Sequence, residues 1–486
     1  MPRAEARRGQ TRPPSPDRVI APAEVRASVT VSVVSVVLPK IQAELGGGVA
    51  ASQWVVDVYA LMLCGLSLSG GAIAGRYGRK RLLLLGILVF TLGSGGCALS
   101  ADLGMLVASR AVQGLGAAVL IPGTLSMVMQ CFPEPATRAK ALGLWSTLGG
   151  GLSFLLGPTI GGLLADHFGW ASIFWINLPI GLLAAVLTVL TVRLLPESAD
   201  PGHAALDPIG QLLTIASLSA LAGGLIEGAR LGWGAPLIVA LLAGSMVGIV
   251  ALILFEARHP RPMLPVRMFR ERAFGLVSVA SFMLGFGAYG IFFFLPGFFQ
   301  SAQGDSAAVS GALMLPMSVS LGLTPLLAGR WVARSGPVLP MFAGYLAIGI
   351  SLIGLLALSP STGAVLVGVL LFVLGTGMGL AIIATNASGM VAVPRQRSGI
   401  AGGVISAGRQ CGQTVGVALL GSLIAARVAD PQVSYAVAFT SGLRLSGLIA
   451  GALTLVVAAL ILGVNRPARA VARPAESTER APSRRG

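Results

Sequence analysis

The sequence has 486 residues, of which 55% are hydrophobic and 11% charged, and its mean hydropathy is +0.84. Soluble domains carry roughly a quarter charged residues, so a soluble domain is excluded and an integral membrane protein is implied. The net charge of +16 does not point to nucleic acid, because 28 of the 34 Lys and Arg fall in tails and loops on one side of the predicted helices. Three lie on the other side (Lys40, Arg230, Arg427) and three within predicted spans. That bias places the basic loops and both termini in the cytoplasm, with anionic lipid headgroups as counter-charge.

In chain order, residues 1–25 are rich in Pro and Arg without an apolar run, which reads as a disordered cytoplasmic tail and not a signal peptide. The first apolar segment, Ala27 to Leu38, is short of the roughly 20 residues a crossing needs and is bounded by Arg26 and Lys40. Either snorkelling of the flanking charges and Ile20 to Val25 extend it, or the natural chain starts elsewhere. Thirteen further segments follow at about 52–74, 82–100, 103–132, 141–165, 170–192, 209–227, 236–255, 273–299, 307–328, 338–358, 363–393, 400–425 and 435–464. They are expected to be helices, because lipid offers the backbone no hydrogen-bond partner. The reading is an all-α membrane protein of fourteen spans: an N-terminal six-helix bundle (26–195), two additional spans (196–258), a C-terminal six-helix bundle (259–464) and a basic tail (465–486). Gly71, Arg76 and Gly78 after the second span recur at the same spacing as Gly329, Arg334 and Gly336 after the tenth. Repeats of this kind place a cargo site between two halves near the midplane.

The chemistry-bearing motifs lie mostly in the first half. The loop from Gly75 to Arg81 (GRYGRKR), with Gly71 before it, joins two helix ends tightly; Gly75, Arg76, Gly78 and Arg79 would gate it. Arg110 and Gln113 lie in ASRAVQGLGAA, and Gly149, Gly157, Pro158, Gly161 and Gly162 mark the fifth span, where small residues allow close approach and Pro a bend. Trp54-Val55-Val56-Asp57 opens the second span, and Trp170 through Asn177-Leu178-Pro179-Ile180-Gly181 opens the sixth. Taken together, over roughly residues 29 to 464, these motifs resemble the major facilitator superfamily, and within it the fourteen-span drug:proton antiporter branch of EmrB/QacA type.

The resemblance implies two six-helix bundles in the major-facilitator fold and proton-driven export of small amphipathic molecules such as drugs, antibiotics or a self-made metabolite. The sequence departs from that branch at Thr30, where an Asp is usual, at Ser35, where Asn is common, and at Gly75, where the signature loop has an acid. Ala171 and Ser153 also replace usual residues. The first and third of these departures bear on coupling and gating, which keeps a transport-impaired paralogue in view alongside a dedicated metabolite carrier or an uptake symporter.

An ionisable group inside a bilayer is costly and marks function by default. Asp57 and Arg110 fall in the outer half of their spans and are expected to share a cavity as proton site and charge partner; the competing reading is an acid solvated at the cavity mouth. Arg409, with Gln410, Gln413 and Asn386, lines the expected cargo wall of the second half or binds carbonyls as a structural charge. Arg444 is expected to snorkel, and Glu227 to be solvated. The aromatic run Phe292, Phe293, Phe294, Phe298 and Phe299 is read as a cargo-receiving wall or a lipid-facing one. The four cysteines lack metal-ligand spacing and read as small buried hydrophobes, and the three histidines lie in loops. No cofactor, metal, nucleotide-binding loop or enzyme chemistry is expected. The reading is a monomeric, multi-pass protein of the bacterial cytoplasmic membrane whose partners are cargo, protons and lipid.

Overall fold

The computed structural model describes residues 33–77, 79–131, 153–192, 207–259, 266–393 and 398–464. Among them every ordered element is a helix, as a chain surrounded by lipid requires. We number them α1 (33–45), α2 (Gly48–Tyr77), α3 (Arg79–Ala98), α4 (Leu103–Cys131), α5 (Ser153–Phe168), α6 (Asn177–Val192), α7 (Pro208–Leu231), α8 (Pro236–Arg258), α9 (Arg272–Ala302), α10 (Ala307–Ser335), α11 (Val338–Ala357), α12 (Ala364–Val391), α13 (Ser398–Val428) and α14 (Tyr435–Val464). Eleven of the described helices are long and apolar enough to cross a membrane. The described parts of α1, α5 and α6 fall below that length.

Helix α1 is longer than its uninterrupted apolar run. It does not stop at Leu38 but runs on through Lys40 to residue 45. Lys40 can sit in it because its ammonium is neutralised by Asp166 on α5 at 2.6 Å.

Two bundles form; α7 and α8 pack against each other, and α7 also lies on α2 and α13. In the first bundle α2 and α3 pack on α4, and α3 on α6; in the second α12 packs on α10 and α11, and α13 and α14 close the group. The α8 helix is peripheral, exposing Leu237, Val239, Met246 and Val247, the outward apolar surface expected of a lipid-facing span. Asp207 caps α7 by accepting from the Gly210 amide, and the Glu256 carboxylate lies beside it over Gly210; both acids are buried.

Two stretches of α9, Leu284–Tyr289 and Phe298–Ala302, widen to π geometry. Pro296, which has no N–H to donate, precedes the second. The first lies where α9 meets α13 backbone to backbone: a side chain on Gly285 would strike the Arg409 carbonyl, and one on Gly416 the Phe286 carbonyl. The Phe292 to Phe299 aromatics are all buried, which corrects the lipid-facing alternative. Phe293 and Phe294 line a cleft with Ser35 and Leu38 of α1, Ser52 of α2 and Phe439 of α14. Arg444 donates its Nε–H to the Leu358 carbonyl at the end of α11, where the last carbonyls of a helix lack partners.

Candidate functional site

Helix α2 presents three faces to three neighbours. At 3.6 residues per turn, Gln53, Asp57 and Cys64 lie within about 40° of one another. Gln53 Nε2 donates to the Val417 and Ala418 carbonyls of α13 at 2.8 and 3.0 Å, and the Cys64 thiol meets that of Cys411 at 2.8 Å. This face therefore looks across the seam to the second bundle. Val55 and Tyr59 point the other way, to α4: the Val55 carbonyl accepts from Arg110 Nε at 2.9 Å, and the guanidinium lies 4.3 Å from the centre of the Tyr59 ring. Trp54 faces α7, its Nε1 donating to Glu227 at 3.0 Å.

These faces decide the fate of the expected Asp57–Arg110 pair. The two residues do share a depth, but two positions along a helix rotate a side chain by about 200°, so Asp57 points away from the α4 side that Val55 occupies. Arg110 instead donates to Gln113 Oε1, and Gln113 Nε2 continues the chain to Ser94 at 2.8 Å. Asp57 is fully buried, and among the described residues neither carboxylate oxygen has a hydrogen-bond partner.

In the second bundle, α9, α11, α12 and α13 bring the expected wall together in part. The Arg409 charge acts on the hydroxyls of Tyr289 and Tyr345, and Tyr345 shares a hydrogen bond with Thr385 at 3.2 Å. Gln413 is buried, while Arg409, Gln410 and Asn386 are half-buried. Glu227 is not a solvated lone acid: besides Trp54 it holds Arg230 at 2.7 Å.

The fifth-span motif meets the second bundle directly. A side chain on Gly162 would strike the Ala307 carbonyl, one on Gly311 the Pro158 carbonyl, and one on Gly161 would press on Val33 of α1. Beyond these contacts Asp166 accepts from the Lys40 ammonium at 2.6 Å and from the Ala308 amide at 2.7 Å, tying α1, α5 and α10. Burial pushes its carboxyl up, but the hydrogen bonds from Lys40 and the Ala308 amide outweigh this and hold it below the ordinary carboxylate value. Gly149 and Gly78 lie outside the described residues. Gly71, Gly75 and Arg76 fall in the last turns of α2 and Arg79 opens α3. In the second copy of the echo, Gly336 ends α10 at φ +77°, a conformation glycine adopts without strain.

The contacts of Gln53 with α13 and of Pro158 to Asp166 with α10 fall toward the Lys40 end, and that of Cys64 with Cys411 lies near mid-helix. The opposite end carries Arg81, Arg330 and Arg334. Two bundles joined at one end by α2–α13 and α5–α10, with polar groups buried on the seam, is a transporter geometry. The family model described as Major Facilitator Superfamily matches residues 23–417. The chain belongs to that superfamily.

Its relatives include the "Multidrug resistance protein Stp" of Mycobacterium tuberculosis (strain CDC 1551 / Oshkosh), 36% identical over 81% of this chain and 72% of the relative. The "Methylenomycin A resistance protein" of Streptomyces coelicolor is 34% identical over 82% and 83% of the two chains. The "Tetracenomycin C resistance and export protein" of Streptomyces glaucescens is 31% identical over 82% and 73%. Among solved structures, the peptide transporter POT in complex with sulfate superposes with a TM-score of 0.68 at 16% identity, covering 92% of this chain and 94% of that one. At that identity the likeness speaks for the fold alone.

Sequence reading of this superfamily member missed Gln53 and Thr414, both buried on the α2–α13 seam. Gln53 carries a signal, a polar residue four before Asp57 and so on its face. Thr414 carries none, because only the packing of α13 shows which way it points.

Proposed function

We propose that the protein is a fourteen-span, proton-coupled antiporter of the EmrB/QacA type. It exports small amphipathic molecules of the antibiotic class across the bacterial cytoplasmic membrane, with both termini in the cytoplasm. The observation that carries this reading is Asp57: an acid with no hydrogen-bond partner, wholly buried on the seam between the two bundles. Burying an ionised carboxylate without partners is costly, so the closed seam suits the neutral, proton-carrying acid, and losing the proton favours parting the bundles. With the basic loops in the cytoplasm, the closed Lys40 end faces outside, so this form of the transporter loads cargo from within. In this reading Arg409, Gln410, Gln413 and Asn386 form the cargo wall of the second bundle, and the Arg110–Gln113–Ser94 chain stiffens the first. Resistance and export in the names of the relatives support the direction and the cargo class, and the names from Streptomyces favour a dedicated antibiotic exporter within it. A proton moving down a membrane potential supplies about 2.3 kcal/mol per 100 mV.

The test has two stages. The gene in a drug-sensitive host should raise tolerance to at least one of methylenomycin A, tetracenomycin C, puromycin and ethidium. That compound should then leave proteoliposomes in response to an imposed pH gradient. Asp57→Asn should abolish gradient-driven efflux while sparing downhill exchange. Wild-type gradient-driven rates in that variant would remove Asp57 from the mechanism.

A further inference from the structure

We infer that Thr414 of α13 is the group to which the Asp57 carboxyl bonds across the closed α2–α13 seam once it takes up a proton, so that protonation locks the seam shut. The inference rests on the reading of Asp57 as proton carrier.

The register of the seam supplies the first argument. The two helices run antiparallel, Gln53 meeting Val417 and Ala418 and Cys64 meeting Ala407 and Cys411. Asp57 lies between Gln53 and Cys64 on one face. Thr414 lies between Cys411 and Ala418 on the facing one, at spacings of three and four that keep all three in line. The antiparallel register sets Asp57 and Thr414 at the same height.

The second argument is the hydroxyl itself. In helices threonine usually returns its hydroxyl proton to the carbonyl four residues back. Thr124, Thr376, Thr440 and Thr454 all do so here, at 2.6 to 2.9 Å. Thr414 does not: its Oγ1 is buried with no hydrogen-bond partner, as are both oxygens of Asp57. Thr159, Ser310 and Ser318 share that lack but lie away from this seam. A neutral carboxyl has one proton to give and one carbonyl oxygen to receive, and a hydroxyl answers both needs. Gln53 Oε1 also lacks a partner, but it belongs to α2, so a bond to it would not tie the bundles together.

The other charged and titratable groups around this stretch have their own engagements. Tyr59 and Arg110 face each other, with Cys97 of α3 close to Arg110. Cys64 meets Cys411, Arg409 acts on Tyr289 and Tyr345, and Glu227 on α7 holds Trp54 and Arg230.

The experiment reads closure of the Lys40 end directly, without cargo. Spin labels at Ala43 and Asp430, both exposed and on opposite bundles, are placed in protein whose four cysteines are replaced by serine. Their distance distribution is followed in nanodiscs from about pH 5 to pH 9. The parent should pass from open to closed as pH falls. Thr414→Val, equal in shape but without the hydroxyl, should need about one pH unit more acid to close, a tenfold change in the closed-to-open ratio for one proton. Thr414→Ser should restore the parent midpoint, which a merely steric role for Thr414 would not predict. Asp57→Asn should be insensitive to pH. If Thr414→Val closes at the parent pH while Asp57→Asn has lost the response, the docking inference falls and the proton-carrier reading stands. If Asp57→Asn keeps the parent response, both fall.

Discussion

Asp57 and Asp166 are two acids within one closed end, and their surroundings assign them opposite tasks. Asp57 has no partner, so its charge has nowhere to rest while the seam is shut. Asp166 has the Lys40 ammonium and the Ala308 amide, which hold its carboxyl below the ordinary value of about 3.9. A carboxylate lowered in this way contributes to the closed form above that ordinary value, and the contribution is lost only as pH falls through the lowered one. Across pH 5 to 8 the latch is therefore constant, and an acidic exterior does not open it. Asp166→Asn should weaken closure by about 1 kcal/mol, the scale of a partly exposed pair with one charge-assisted bond. The Ala43–Asp430 distance should show the same loss at pH 5 and pH 8. A loss confined to one of these values would mean that Asp166 titrates with the proton cycle.

At the scale of helices, close contact between the bundles depends on missing side chains. Gly162 of α5 and Gly311 of α10 let backbone meet backbone, whereas a side chain on Gly329 would find open space. Gly162→Val should drive α5 off α10 at a cost to the closed form of about 1–3 kcal/mol, and shift the labelled end toward open. Gly329→Ala should leave the distance distribution unchanged, and equal effects from the two would disconnect the motif from closure. This contrast shows what could be read from the sequence. Depth could be read, because rise per residue is fixed: Asp57 and Arg110 do lie at similar depth, and the fifth-span glycines do mark a contact. Rotation could not be read, because the direction a residue faces depends on which helix packs there. Hence the sequence pairs Asp57 with Arg110 although it belongs to the α13 seam, and leaves Lys40 in a loop although its partner Asp166 lies far along the chain. The Phe292 to Phe299 run could not be resolved at all, since apolar residues look alike whether they face lipid or core.

At the scale of the whole molecule, the additional helix α7 belongs to the seam, while α8 covers it on the outer edge. Helix α7 packs on α2 of one bundle and α13 of the other, with Leu61, Ala222, Ile226 and Ala418 forming one buried cluster and Trp54 fixed to Glu227. It thereby covers the stretch that holds Asp57 from the side. This arrangement requires α7 and α8 to cross the membrane together, with their turn at Trp233 on the same side as the closed end. In the proposed topology that side is external and the Arg334 end cytoplasmic. Single cysteines at Trp233, Asp430 and Arg334, all exposed, should divide accordingly in whole cells. A membrane-impermeant maleimide should label the first two and spare the third until the membrane is permeabilised. Labelling of Arg334 from outside together with Asp430 would refute the alternation of spans. Protection of Trp233 alone would instead take α7 and α8 out of the membrane-crossing set and leave twelve helices to carry transport.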